Sequence, residues 1–303
     1  MAFTAKDVQA LREKTGCGMM DCKKALTETN GDMEAATDYL REKGLASQAK
    51  KSTRVAAEGT VCAYTANGVG VVVELNSETD FVANGDGFKA LAAEVAQIVA
   101  EQNPSDVDAL LKCEKDGMTV EEKVQELFLA IRENIKIRRF ERCEGKVVTY
   151  VHAGGKIGVM VNFETELDAD NADFVTMGKN VAMQIAAMNP SFLDEASVPE
   201  SVIAKEKEIL VAQMKEDPKM ANKPEAVLGK IVDGKIGKYY KENCLVEQAF
   251  VMDGDISVGK YIANTAKELG ADIKITSFVR YEKGEGIEKR VDDFAAEVAA
   301  MAK

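Results

Sequence analysis

The sequence predicts an α+β protein: a small three-helix N-terminal module, a duplicated core of antiparallel sheet and helices, an inserted helical hairpin and a C-terminal helix. Three observations carry that prediction. The segment Glu58-Gly59-Thr60-Val61-Cys62-Ala63-Tyr64 returns as Glu144-Gly145-Lys146-Val147-Val148-Thr149-Tyr150, at an offset of 86 residues. Each copy runs through a turn into an apolar strand and then an amphipathic helix, a unit that builds antiparallel sheets covered by helices. Two charged helical stretches flank the break Asp217-Pro218. The boundaries expected are 1–54 for the module and its linker and 55–141 for the first core repeat. The second repeat is expected over 142–283, with its hairpin at about 199–242, and a C-terminal helical module over 284–303.

Within the module, Thr4 is suited to cap a first helix, with Asp7 at the third helical position and Val8 and Leu11 inward. Gly16 and Gly18 interrupt the chain before a second helix from about Met19 to Thr27. Asn30-Gly31 turns, Asp32 caps a third helix bearing Met33, Ala36 and Leu40, and Gly44 is expected to stop it. The polar, basic stretch 45–55 reads as a linker. So small a core suits recognition rather than catalysis.

In the core, Gly70-Val71-Val72-Val73 matches Gly158-Val159-Met160-Val161 at an offset of 88, so the second hairpin loop is two residues longer. Phe88, Val95, Ala96 and Asn103-Pro104 then match Phe174, Val181, Ala182 and Asn189-Pro190, back at 86. The connection from strand to helix is therefore two residues longer in copy one, and inside it lies Thr79-Asp80-Phe81-Val82. This segment reads as a loop that sets an aromatic ring beside a carboxylate. Ala172-Asp173-Phe174-Val175 looks alike, but the repeat aligns Phe174 with Phe88 on a buried helix face.

Beyond copy two, Pro199–Met214 and Pro224–Glu242 form the expected hairpin, with the stripe Ile203, Leu210, Met214, Val227 and Ile231. A short helix near Val258–Leu269 stopped by Gly270 follows, then a strand over Asp272–Tyr281. A last helix carries Phe294, Val298 and Met301.

Composition narrows the function. The net charge of −12 argues against a large nucleic-acid or anionic-membrane surface. There is one histidine, His152, and the six cysteines contain no C-x-x-C pair. That inventory disfavours a zinc site or a histidine-based triad and points to reduced thiols. The start lacks an apolar signal segment and no long apolar run follows, so a soluble, cytoplasmic chain is expected. Gly85-x-Gly87-x-x-Ala90 follows a hairpin rather than a parallel strand, which disfavours a dinucleotide site. Gly229 to Lys235 resembles a phosphate loop, but Ile236 stands where the Mg²⁺-binding hydroxyl is required. Asp168, Asp170 and Asp173 lack the glycine and distal glutamate of a calcium loop. No nucleophile–base–orienter set is present to support a hydrolase or transferase. No cofactor, no metal and no small-molecule substrate are expected.

The residues taken alone leave alternatives open. Phe81 is either a loop anchor folded onto the repeat or an exposed contact. His152 is a turn residue or a contact, and Met19 and Met20 are core or an adaptable binding surface. An adaptor working only through residues 1–44 would leave the duplicated core without a role.

Thr15-Gly16-Cys17-Gly18-Met19-Met20-Asp21-Cys22-Lys23-Lys24-Ala25-Leu26, Thr79–Val82, Glu133-Asn134-Ile135-Lys136-Ile137-Arg138-Arg139, Gly284-Glu285-Gly286-Ile287-Glu288-Lys289 and the 293–301 segment occur in order along nearly the whole chain. Together they resemble the bacterial elongation factor Ts family. The resemblance implies a ubiquitin-associated-type N-terminal module and a non-enzymatic guanine-nucleotide exchange activity toward elongation factor Tu. It implies that Thr79, Asp80, Phe81 and Val82 enter near the magnesium site of that partner. It further implies that Met19, Met20, Lys23, Ile131 and His152 are partner contacts, and that the final helix docks on the GTPase domain.

Overall fold

The computed structural model describes residues 3–216 and 224–288. The expected last helix, with Phe294, Val298 and Met301, lies outside the described residues.

Three helices open the chain: α1 (Ala5–Thr15), α2 (Met19–Glu28) and α3 (Met33–Lys51). Thr4 and Asp7 form a reciprocal capping box on α1. The Asp32 carboxylate accepts the Glu34 and Ala35 N–H groups at 2.9 Å to start α3. Val8, Leu11, Cys22, Leu26, Ala36 and Leu40 close a small core with Leu129. Gly44 does not stop α3, and the expected linker shrinks to the few residues after Lys51. The reason is packing. A Cβ at Gly44 would sit 2.0 Å from Leu129 Cδ2, so this glycine admits a neighbouring helix rather than ending its own.

The first repeat comprises β1 (Glu58–Ala66), β2 (Val69–Ser77), α4 (Asp80–Ala83), α5 (Asp86–Gln102), α6 (Val107–Leu111), the short β3 (Glu114–Lys115) and β4 (Met118–Thr119), α7 (Val120–Ile131) and β5 (Lys136–Glu144). The second comprises β6 (Lys146–His152), β7 (Ile157–Thr165), α8 (Ala172–Met188), the inserted α9 (Glu200–Glu216) and α10 (Glu225–Asn243), the short β8 (Ala249–Phe250) and β9 (Asp253–Ser257), α11 (Val258–Leu269) and β10 (Ile273–Glu282). β5 runs across the 141/142 boundary drawn from the sequence and hands over directly to β6.

The duplication reaches further than the sequence disclosed. β5 joins β2 to give the order β1-β2-β5, and β10 joins β7 to give β6-β7-β10, both antiparallel. α7 and α11 are equivalent twelve-residue helices, capped by Thr119 and Ser257. Both third strands are bulged: Arg138 falls between the pairs Glu74–Arg139 and Leu75–Ile137, and Thr276 between Asn162–Ser277 and Phe163–Ile275. The unit is therefore hairpin, helix, helix, strand, with α9–α10 inserted into the second copy.

The two sheets pack face to face, and α5 with α7 and α8 with α11 cover the outer faces, giving four layers. One core lies under α5 around Phe88, a second under α8 around Phe174, and a thin third between the sheets holds Val61, Val72, Val147 and Met160. Glycine sets the sheet separation at two repeat-related points. A Cβ at Gly70 would stand 2.2 Å from Val147 Cγ1, and one at Gly158 would stand 2.3 Å from Val61 Cγ1. Valine is stiff at χ1 and cannot swing aside. Gly158→Ala is therefore expected to cost about 1–3 kcal/mol by overpacking, read as a lower urea midpoint.

A buried carboxylate joins the repeats at one edge. Glu74 is fully buried and accepts hydrogen bonds from Arg138 Nη1 (3.0 Å), Arg139 Nε (2.7 Å), Asn76 Nδ2 (3.1 Å) and the Gly284 N–H (2.7 Å). Arg139 also pairs with Glu285 at 3.1 Å and lies over the Tyr281 ring at 4.1 Å. Burial pushes the Tyr281 phenol up to about 12. The motifs at 133–139 and 284–286 thus meet in one network that satisfies a buried charge.

The hairpin α9–α10 forms as expected, with a small core of Leu210, Met214, Val232 and Ile236. Val227 is exposed, and the α10 stripe runs instead through Leu228, Val232 and Ile236, with Ile231 at its margin. The residues of the phosphate-loop look-alike, 229–235, lie within α10.

Candidate partner-binding site

The Thr79–Val82 segment is one turn of helix rather than a loop. Thr79 caps it: its Oγ1 accepts the Val82 N–H at 3.3 Å. The Ala83 and Asn84 N–H groups follow on Thr79 and Asp80 carbonyls at 3.2 and 2.9 Å. Val82 and Ala83 face the first core and anchor the turn. Phe81 points the other way and is 86% exposed, the most exposed large apolar side chain among the described residues. Asp80 beside it is also exposed. Phe174, the look-alike, is fully buried and meets Phe163 edge-on at 5.3 Å. Residues 78–85 connect β2 to α5 and residues 166–171 connect β7 to α8, which is the two-residue difference read from the repeat.

Other expected contact residues gather around this turn through the end of α7. Ile131 is half-buried against the first core. Arg132 takes the left-handed conformation that ends α7 (φ 65°), and its guanidinium pairs with Asp21 of α2 at 2.9 Å. Next to Asp21, Met20 is 74% exposed and Met19 and Lys23 are also exposed, while Cys22, Ala25 and Leu26 face inward. Glu133 reaches the other way, to Thr79. α2, the end of α7 and the Asp80-Phe81 turn are thus linked residue to residue. His152 ends β6 instead of sitting in the loop beyond it; it is exposed, with Nδ1 3.0 Å from the Tyr150 hydroxyl. The following Gly155 carbonyl accepts the Val61 N–H at 2.8 Å, which ties the His152 end of this hairpin to β1. α4 packs on β1 as well.

Among the described residues, no group of three or more His, Cys, Asp or Glu is arranged to hold a metal ion, and the six cysteines are free thiols. Burial raises the Cys22, Cys62, Cys113 and Cys244 thiols above their ordinary range, Cys244 to about 11, so these are not activated nucleophiles. No described helix is long and apolar enough to cross a membrane.

Comparison with known proteins decides the family. A family model described as elongation factor TS matches residues 78–285. A curated elongation factor Ts of Clostridium perfringens is 51% identical over 305 residues, covering 99% of both chains. Those of Magnetococcus marinus and Syntrophotalea carbinolica are each 46% identical, over 99% and 100% of both chains. The chain belongs to the elongation factor Ts family. The match to the elongation factor Ts model begins at Glu78, one residue before the capped turn, and ends at Glu285, inside the Glu74 network. The N-terminal module lies outside that match but within the full-length elongation factor Ts relatives.

One exposed apolar group escaped the sequence reading. Met188 ends α8, and Val251 and Met252 occupy the turn between β8 and β9, with Met252 63% exposed. The Val251 N–H donates to Oε1 of the buried Gln184 at 2.8 Å, which fixes this turn on α8. The available signal was Phe250-Val251-Met252 before Asp253-Gly254, three apolar residues of which a tight turn can bury one.

Proposed function

We propose that this chain is a guanine-nucleotide exchange factor for the translational GTPase elongation factor Tu. It binds the GDP-loaded GTPase, disturbs the Mg²⁺ site with Asp80-Phe81, and promotes GDP release and replacement by GTP. One observation carries the reading: a nearly fully exposed phenylalanine stands on a capped, core-anchored turn that only one of two matching repeats possesses. Folding supplies no reason to hold an aromatic ring in water; an aromatic in a partner's pocket is a common source of binding energy.

The chain forms and breaks no covalent bond in this scheme. Mg²⁺ bridges the nucleotide phosphates and contributes much of their hold on the GTPase, so a ring wedged beside it and a carboxylate competing for local groups weaken GDP binding. Reciprocity follows. A factor that weakens GDP binding is itself bound less tightly by the GDP-loaded GTPase, and incoming GTP breaks the nucleotide-free complex. Met19, Met20, Lys23, Ile131 and His152 are assigned as further contacts, and the site of action is the cytoplasm.

The test is release of a fluorescent GDP from elongation factor Tu, followed by stopped flow with excess unlabelled nucleotide. The chain is expected to accelerate release at catalytic ratios. An unchanged rate overturns the reading.

A further inference from the structure

A turn of four residues has no stability of its own. Val82 and Ala83 anchor the Asp80-Phe81 turn in the core. The Ser77 hydroxyl donates to the Thr79 carbonyl at 3.0 Å and the Asn84 amide to the Asp80 carbonyl at 2.9 Å. The start of the turn is held by a carboxylate 54 residues away in sequence. Glu133 Oε2 accepts the Thr79 N–H at 3.0 Å, and Glu133 Oε1 accepts the Thr79 hydroxyl at 2.7 Å. With its proton committed to Glu133, the hydroxyl oxygen presents its lone pairs to the Val82 N–H, the cap of the turn. One residue along, the roles reverse: the Asn134 N–H donates to Glu78 Oε1 at 2.7 Å. The buried Asn134 amide in turn donates to the Arg54 and Ser52 carbonyls at 2.7 and 3.3 Å. Residues 78–79 and 133–134 therefore clasp each other through two carboxylates, each bonded to the other segment's backbone. Charge-assisted bonds of this kind are the strong ones.

We propose that Glu133 is a positioning residue for nucleotide exchange: it holds Thr79 so that the turn presents Phe81 in a fixed direction before the partner arrives. The role rests on the exchange reading given above. Glu133 acts through the turn rather than on the GTPase. A preorganised turn does not lose backbone freedom at docking, which raises the rate of productive engagement. The clasp also continues to the N-terminal module, because Arg132 pairs with Asp21 and its carbonyl accepts the Lys51 ammonium.

The test uses the full chain with Glu133→Ala, Glu133→Gln and Thr79→Val. In the free protein, amide hydrogen exchange at Val82, Ala83 and Asn84 is expected to speed up by about tenfold in Glu133→Ala and Thr79→Val, the equivalent of one charge-assisted hydrogen bond. Glu133→Gln keeps an acceptor and is expected to recover most of the protection. In the GDP-release assay, Glu133→Ala is expected to lose about tenfold in acceleration. The double variant Phe81→Ala with Glu133→Ala is expected to be no slower than Phe81→Ala alone, because both act through one ring. Unchanged amide protection, or additive losses in the double variant, overturns the assignment. If the unmodified chain fails to accelerate release, the exchange reading falls and the role of Glu133 with it. Normal acceleration with unaffected Glu133 variants overturns Glu133 alone.

Discussion

Phe81→Ala is expected to slow GDP release from elongation factor Tu by about thirtyfold at equal factor concentration while leaving the unfolding midpoint nearly unchanged. The size follows from anchor residues in protein interfaces, where truncating a central aromatic costs about 2 kcal/mol or more. The silence in stability follows from exposure. A ring that is 86% accessible has little burial to lose on truncation. The turn that carries it is held by Thr79, Glu133 and the buried Val82, none of which the substitution touches. Stopped-flow release and a urea titration on the same preparation check both halves.

Phe174→Ala is expected to do the opposite. Its ring, on α8, is fully buried, edge-on to Phe163, and belongs to the second core with Met177, Val161 and Ile275. Truncation leaves a cavity that rigid neighbours cannot fill and costs about 3–5 kcal/mol. Calorimetry is expected to show a midpoint lower by roughly 5–8 °C for a chain of this size. Protein that remains folded is expected to keep its exchange activity, since Phe174 belongs to the second core and the Asp80-Phe81 turn is anchored in the first. Reversed outcomes for the two phenylalanines would mean that the repeat alignment, and the role drawn from it, is wrong.

Much of this contrast is legible in the sequence alone. The offsets of 86, 88 and 86 located both the longer hairpin loop at 153–156 and the longer connection at 78–85. They also separated Phe81 from Phe174, because a repeat transfers burial from one copy to the other. Caps and stops were equally plain at Thr4, Asp32 and Gly270, where local hydrogen bonding decides. Gly44 misled because a stop glycine and a close-packing glycine look alike in sequence, and only Leu129, far along the chain, distinguishes them. β5 goes unread in the sequence for a different reason, although its counterpart is expected as the strand over Asp272–Tyr281 and is found as β10 (Ile273–Glu282). Ile135-Lys136-Ile137 with Phe140 matches Ile273-Lys274-Ile275 with Phe278, but the inserted α9–α10 hairpin moves the offset to 138. A search at constant spacing cannot see it.

The site shows the same division. Asp80 and Phe81 stood out as side chains without a folding role, whereas the hold of Glu133 on Thr79 is a contact between distant segments that no local pattern encodes. For Met19 and Met20 the sequence leaves core and surface open, since adjacent helical residues cannot both face inward; both are exposed, Met20 the more so. Val251 and Met252 have no such local signal: of the three apolar residues Phe250-Val251-Met252, only the geometry of the β8–β9 hairpin decides that Phe250 is the buried one.

The central claim is that Phe81 and Asp80 speed release by disturbing the magnesium site of the partner, and one measurement addresses it directly. GDP release from elongation factor Tu would be timed with the unmodified chain and with Phe81→Ala, first at millimolar Mg²⁺ and then with the metal removed by chelation. With Mg²⁺ present, the unmodified chain is expected to outpace the variant by about thirtyfold. With no metal to displace, the wedge has nothing left to do, and the two are expected to converge to within about threefold. A gap that persists in full after chelation would contradict the account.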